Sequence, residues 1–294
     1  MTEIKEGFLP YKGYKTYYKT VGVTAPGKFP LLVLHGGPGS CHNYMLPLAG
    51  LAETGRQIIF YDQLGCGKSD QPEDDSLWVV KTFLDELKAV REHLGLKEIH
   101  LLGQSWGGML AIEYLLTKPK GIQSAVLASA MISMPLYQAE VEILKKDLPP
   151  EVYKTLRAHE AAGTTDSQAY AKAYEVYGKH HLFRGETFPK EFESPTNSKD
   201  SPAYHKMWGA SEAYADGDLK AWDKIGRLHE ITVPTLITSG QYDELTPRQA
   251  LVTHAEIPGS EIEILTAGSH CAHIEHPDEY NARVAEFLDK VEKR

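Results

Sequence analysis

The chain has 294 residues, 42% of them hydrophobic and 24% charged, with a formal net charge of −9. These proportions describe a folded globular protein with apolar side chains enough for a sizeable core, and the acidic balance excludes a phosphate backbone as the natural partner. No apolar run approaches the roughly 20 residues of a membrane span, so no membrane association is expected.

In chain order, Tyr14 to Val21 alternates like an early strand, and Ala25-Pro26-Gly27-Lys28 reads as a turn. Pro30–Leu34, Gln57–Tyr61, Glu98–Leu102 and Ser124–Ala128 are short runs, largely apolar; Thr235–Thr238 and Glu261–Leu265 follow near the end. Strands that read apolar throughout belong in a sheet covered on both faces, which means a parallel one. Helical spacing runs over Leu77–Leu94, stopped by Gly95, over Met109–Leu116, stopped near Pro119, and over about Glu279–Val291. Strand and helix alternate, the α/β pattern. Between about Ser133 and Trp222 the strands stop. Helical stretches appear near Leu136–Lys146, Glu151–Ala161 and Ser167–Tyr177, punctuated by Pro149-Pro150 and Ser194-Pro195. The expected organisation is a core of residues 1–133 and 223–294 with a helical cap, 134–222, inserted between its halves.

Three cysteines, Cys41, Cys66 and Cys271, are odd in number and lack CxxC spacing, and they read as free thiols of a reducing cytosol. The opening MTEIKEGFLPYKG has no apolar h-region and no signal peptide is read there, so the expected location is cytoplasmic.

Gly103-Gln104-Ser105-Trp106-Gly107 matches G-x-S-x-G between a strand and a helix. That is the nucleophile elbow of the α/β-hydrolase fold: a sharp turn lifts one side chain above the sheet, beside the free N–H groups of a helix N-terminus. Ser105 is the expected nucleophile. A tetrahedral oxyanion needs two backbone donors. Trp106, next after the serine, supplies one, and Gly37 in His35-Gly36-Gly37-Pro38-Gly39 the other; His35 itself reads as structural. The fold takes its acid and base in that order after late strands. Asp243 is preferred to its neighbour Glu244 as the acid, and His270 to His273 and His276 as the base. His270, His273 and His276 with Glu275 have metal-ligating side chains, but no HExxH spacing, so neither metal nor cofactor is expected.

His35–Gly39, Asp62-Gln63-Leu64-Gly65-Cys66-Gly67-Lys68-Ser69 and Gly103–Gly108, extending into Tyr242-Asp243-Glu244 and Gly268-Ser269-His270, resemble the proline iminopeptidases (prolyl aminopeptidases) over nearly the whole chain. The resemblance implies an α/β-hydrolase serine peptidase that removes an N-terminal residue, often proline, from a small peptide; amino acid amides are the neighbouring substrate class and carboxylesters a further one. It also implies carboxylates that hold the substrate's free amino group, at Glu244 and at Glu212 in the cap. A buried cation needs such negative charge to offset its lost hydration. Trp106, Tyr137 and Trp208 are the aromatic candidates for an apolar slot.

Overall fold

The apolar runs form the middle of one eight-stranded sheet. The computed structural model describes residues 2–193 and 201–293. Its strands are β1 (Ile4–Tyr11), β2 (Tyr14–Val21), β3 (Leu31–Leu34), β4 (Ile58–Tyr61), β5 (Ile99–Ser105), β6 (Ile122–Ala130), β7 (Thr235–Gly240) and β8 (Glu261–Leu265). They lie in the order β1-β2-β4-β3-β5-β6-β7-β8. Pairing is antiparallel from β1 to β2 and from β2 to β4, and parallel from β4 onward. Leu32, Leu34, Ile59 and Tyr61 enter the core on one face of the sheet, while Leu31, Val33, Ile58 and Phe60 enter a second cluster on the other. Burial on both faces is why these strands show no polar alternation.

The flanking helices are α1 (Val80–His93), α2 (Trp106–Leu116), α6 (Pro247–Glu256), the short α7 (Ala272–Glu275) and α8 (Pro277–Glu292). The sequence reading has no strand at β1, where charges, Gly7 and Pro10 hide the pattern. β1 is an edge strand, where a proline costs no ladder bond. It turns into β2 through Lys12 and Gly13, both at positive φ, as a two-residue hairpin requires.

Between β6 and β7 the expected helices are present as α3 (Met134–Lys146), α4 (Pro150–Ala162) and α5 (Gln168–His181). Ser133 caps α3 by accepting from Leu136 N, and Pro135 sits in its first turn. Ser167 caps α5 in the same way through Tyr170 N. The Ser194-Pro195 punctuation lies outside the described residues. The chain leaves and rejoins the sheet through a paired stem: Ser133 bridges Asp223, Met134 N donates to Trp222 O at 2.8 Å, and Lys224 N donates to Ile132 O at 3.0 Å. Among the described residues, no helix is long and apolar enough to cross a membrane.

The last helix is pinned by a buried charge. Arg56, with no exposed surface, donates to Thr54 Oγ1 at 2.7 Å and to the carboxylates of Asp289 and Glu292 on α8. Glu292 also faces His100 Nε2 at 3.1 Å and accepts from Phe29 N at 3.0 Å. Arg56→Ala leaves a cavity and leaves Glu292 to Lys28, His100 and Phe29 N, and urea unfolding should show a loss of about 1.5–3 kcal/mol. A loss under about 1 kcal/mol would mean that the charge is not structural.

Candidate active site

β5 runs straight into α2, and the turn between them is the site's anchor. Ser105 has φ 58° and ψ −122°, a conformation that non-glycine residues rarely hold. Two glycines make the turn possible. A Cβ on Gly103 would stand 2.2 Å from Gly107 O, and one on Gly107 would stand 2.2 Å from Leu34 O. The Ser105 hydroxyl does not cap α2. Trp106, the first residue of the helix, contributes a backbone N–H with no partner inside the helix.

The His35–Gly39 loop lies at the C-terminal end of β3, beside β5. Burial lowers the His35 imidazole to about 4, so the ring is neutral. Its Nδ1 faces Gly36 O at 2.9 Å, and its Nε2 accepts from Gln63 N at 3.0 Å. Gln63 Nε2 donates to His35 O at 2.9 Å, while Gln63 Oε1 accepts from Trp106 Nε1 at 2.8 Å. His35 is therefore structural, as its sequence context implies. Gln63, which in sequence is only one residue of the Asp62–Ser69 motif, joins the glycine loop to the elbow.

Asp243 and His270 follow β7 and β8. Asp243 Oδ1 faces His270 Nδ1 at 2.8 Å and accepts from Leu245 N at 2.8 Å. Burial works to lower the His270 imidazole, but the Asp243 carboxylate, with Glu244 and Glu212 beyond it, overcomes this and raises it to about 9. The loop carrying His270 is tied to the end of α5: His270 N donates to His181 O and Cys271 N to Leu182 O, each at 3.1 Å. Glu275 reinforces that tie, accepting from Arg184 N and Ser269 N at 2.6 Å each and from Ser269 Oγ at 2.5 Å. His273 points elsewhere, its Nε2 3.0 Å from Tyr44 O. Among the described residues, no group of three or more His, Cys, Asp and Glu is arranged to hold a metal ion.

Ser105, His270, Gly37 and Glu212 line one cavity of about 280 Å³. Its apolar wall is Tyr174 of α5 with Leu182, Phe188 and Phe192 after it. The aromatic candidates from sequence do not form that wall. The Trp106 indole turns into the core, edge-on to Phe83. Tyr137 and Trp208 are buried against each other, and the Tyr137 hydroxyl donates to Glu212 O at 2.7 Å. The turn brings the Trp106 backbone beside Ser105 and sends its side chain the other way, which the G-x-S-x-G pattern does not distinguish.

Glu244 is 2% exposed and accepts from the Tyr177 hydroxyl at 3.2 Å. Among the described residues, no lysine or arginine pairs with it. Burial raises its carboxyl well above the ordinary value; the His270 cation would lower it, while the negative charges of Glu212 and Asp243 raise it further. Two acids thus share one buried region next to the serine and imidazole, with no protein cation paired to Glu244. That arrangement favours a positively charged visitor.

The alpha/beta hydrolase fold profile matches residues 30–277. The proline iminopeptidase of Heyndrickxia coagulans is 40% identical over 287 residues, covering 97% of this chain and 99% of its own. Among solved structures, the proline iminopeptidase of Mycobacterium smegmatis superposes with a TM-score of 0.90 at 36% identity, covering 98% of this chain and 99% of its own. The crystal structure of VinJ superposes with a TM-score of 0.93 at 34% identity, with the same coverage of both chains. The motifs, the strand order and a likeness that extends from end to end agree: the chain belongs to the proline iminopeptidase family of α/β-hydrolases.

Proposed function

We propose that the protein is a serine aminopeptidase that hydrolyses the amide bond after an N-terminal residue, proline or a small apolar one, through an acyl-enzyme. The supporting observation is one cavity that holds Ser105, His270 and Glu212, with the buried Glu244 carboxylate alongside. Glu212 and Glu244 take the substrate's protonated amine. A cation fixed one residue from the scissile bond restricts cleavage to the chain's first residue. Residues 134–222 act as the cap, supplying Glu212 and the apolar wall for the side chain.

Ser105 Oγ attacks the carbonyl carbon as His270 Nε2 takes its proton, and Asp243 holds the imidazolium at Nδ1. The negative oxygen faces the backbone N–H groups of Gly37 and Trp106. Collapse breaks the C–N bond; the leaving amine takes the proton from Nε2, and the N-terminal residue stays on Ser105 as an ester. Water, deprotonated by His270, then attacks that ester and restores the serine.

Prolyl, alanyl and leucyl anilides compared with their N-acetyl forms test this reading. Acetylation removes the cation that the carboxylates would attract, so kcat/KM should fall by more than about tenfold. Equal rates would defeat the aminopeptidase assignment and leave a general hydrolase. Short peptides run beside amino acid amides then fix the leaving group.

A further inference from the structure

β5 places a second polar side chain beside the nucleophile. Gln104 is buried, lines the same cavity, and has its amide between Tyr44 and His270. The hydrogen positions follow from the ends of this chain of contacts. Gly36 N donates to the Tyr44 hydroxyl at 2.6 Å, so Tyr44 must send its own proton elsewhere, and Gln104 Oε1 accepts it at 2.5 Å. That fixes the amide, with Oε1 toward Tyr44 and Nε2 toward the imidazole. Gln104 Nε2 lies 3.1 Å from His270 Nε2 and 3.2 Å from His270 O. When the ring is neutral, an imidazole that donates Nδ1–H to Asp243 is an acceptor at Nε2, so the two amide protons then serve the ring and the carbonyl.

We propose that Gln104, oriented by Tyr44, is a positioning residue for His270: it holds the ring as the Nδ1–H tautomer with Nε2 toward the cavity, and yields Nε2 to the Ser105 hydroxyl when reaction begins. The proposal rests on the reading of His270 as the base of Ser105. One lone pair takes one donor at a time, so Gln104 and Ser105 alternate at Nε2. When the serine takes its turn, Gln104 keeps its bonds to Tyr44 and to the His270 carbonyl and need not leave the site. The relay starts at Gly36, the residue before Gly37, and so links the backbone of the oxyanion loop to the base.

A donor on the Nε2 lone pair favours the neutral ring, and losing it eases protonation. The carboxylates of Asp243, Glu244 and Glu212 all face His270 and favour its cation. Cys271, Tyr44 and His273 are its other titratable neighbours, and burial keeps all three neutral. Gln104→Leu removes the donor, and Tyr44→Phe removes the hydroxyl that orients it.

The rate at which an uncharged fluorophosphonate labels Ser105, followed across pH, reports on the base without requiring Glu212 or Glu244 to hold an amine. The acid limb should move to higher pH by about 0.5–1 unit in Gln104→Leu and by less in Tyr44→Phe, with thermal midpoints near wild type. Gln104→Glu, which sets a carboxylate against Nε2, should move it further the same way. Limbs that coincide with wild type in both Gln104→Leu and Tyr44→Phe overturn the proposal. If the leucine variant does not fold, Tyr44→Phe and Gln104→Glu decide alone. The underlying reading fails by a different sign: undiminished labelling in His270→Ala would remove the base, and with it anything for Gln104 to position.

Discussion

Ser105→Ala should lower kcat on prolyl anilides by about 10⁵- to 10⁶-fold while leaving the thermal midpoint almost unchanged. The hydroxyl caps no helix, so its loss costs the fold little. Alanine meets the same positive φ as serine, so the turn gains no new strain. What disappears is the covalent route: binding by the carboxylates and the backbone donors remain, but no oxygen is placed to attack. Steady-state kinetics and intact-mass detection of a fluorophosphonate adduct check both halves. A variant that keeps more than about 1% of wild-type kcat, or still takes up the probe at another residue at the wild-type rate, would remove Ser105 from its role. His270→Ala should fall as far, and the double variant little further, because the two act as one unit.

Glu244→Gln should reduce kcat/KM on substrates with a free amine by about 10²- to 10³-fold at its widest, where Glu244 is ionised and the amine still carries its proton, equivalent to about 3–4 kcal/mol for a buried cation deprived of its partner. The pH dependence carries a sign. Because the Glu244 carboxyl titrates above its ordinary range, it is largely protonated in acid, where Glu and Gln present the same charge. The gap between wild type and variant should therefore narrow as pH falls, and should narrow again above about pH 8 as the substrate's α-amine loses its own proton. The carboxylate also helps to raise His270, so its removal should move the acid limb of labelling by a neutral probe to lower pH. A gap that stays constant across pH, or equal losses on N-acetyl substrates, would show that the side chain only packs. Glu212→Gln should lower kcat/KM on free-amine substrates by a smaller factor, since it is less buried.

Much of this was legible in the sequence because burial writes a strong signal. β3 and β4 are covered on both faces, so their residues are apolar without interruption, and the alternation with helices follows. Ser105, Asp243 and His270 stand out as candidates because each lies at or soon after the end of a strand, where an open parallel sheet presents its loops. β1 was not, because an exposed edge tolerates charge, Gly7 and Pro10. The cavity wall was least legible. Tyr174, Leu182, Phe188 and Phe192 come from a helix and the segment after it, and an aromatic on a cap helix reads the same whether it faces core or cavity. Trp106 shows the opposite limit, since adjacency to the nucleophile fixes its amide and says nothing of where the indole goes. Gln104 occupies the variable position of the elbow motif, and only the placement of Tyr44, sixty residues earlier in the chain, reveals its contact with the imidazole.

On the proposed function, the bonds from His181, Leu182 and Arg184 to the His270 loop and Glu275 would couple substrate preference to turnover. Leu182 both lines the cavity and, through its carbonyl, steadies the turn that carries His270. A lineage that reshapes this wall to accept a bulkier residue also disturbs the timing of proton transfer. New tastes would then be acquired most cheaply at Phe188 and Phe192, which border the same space from outside that tether.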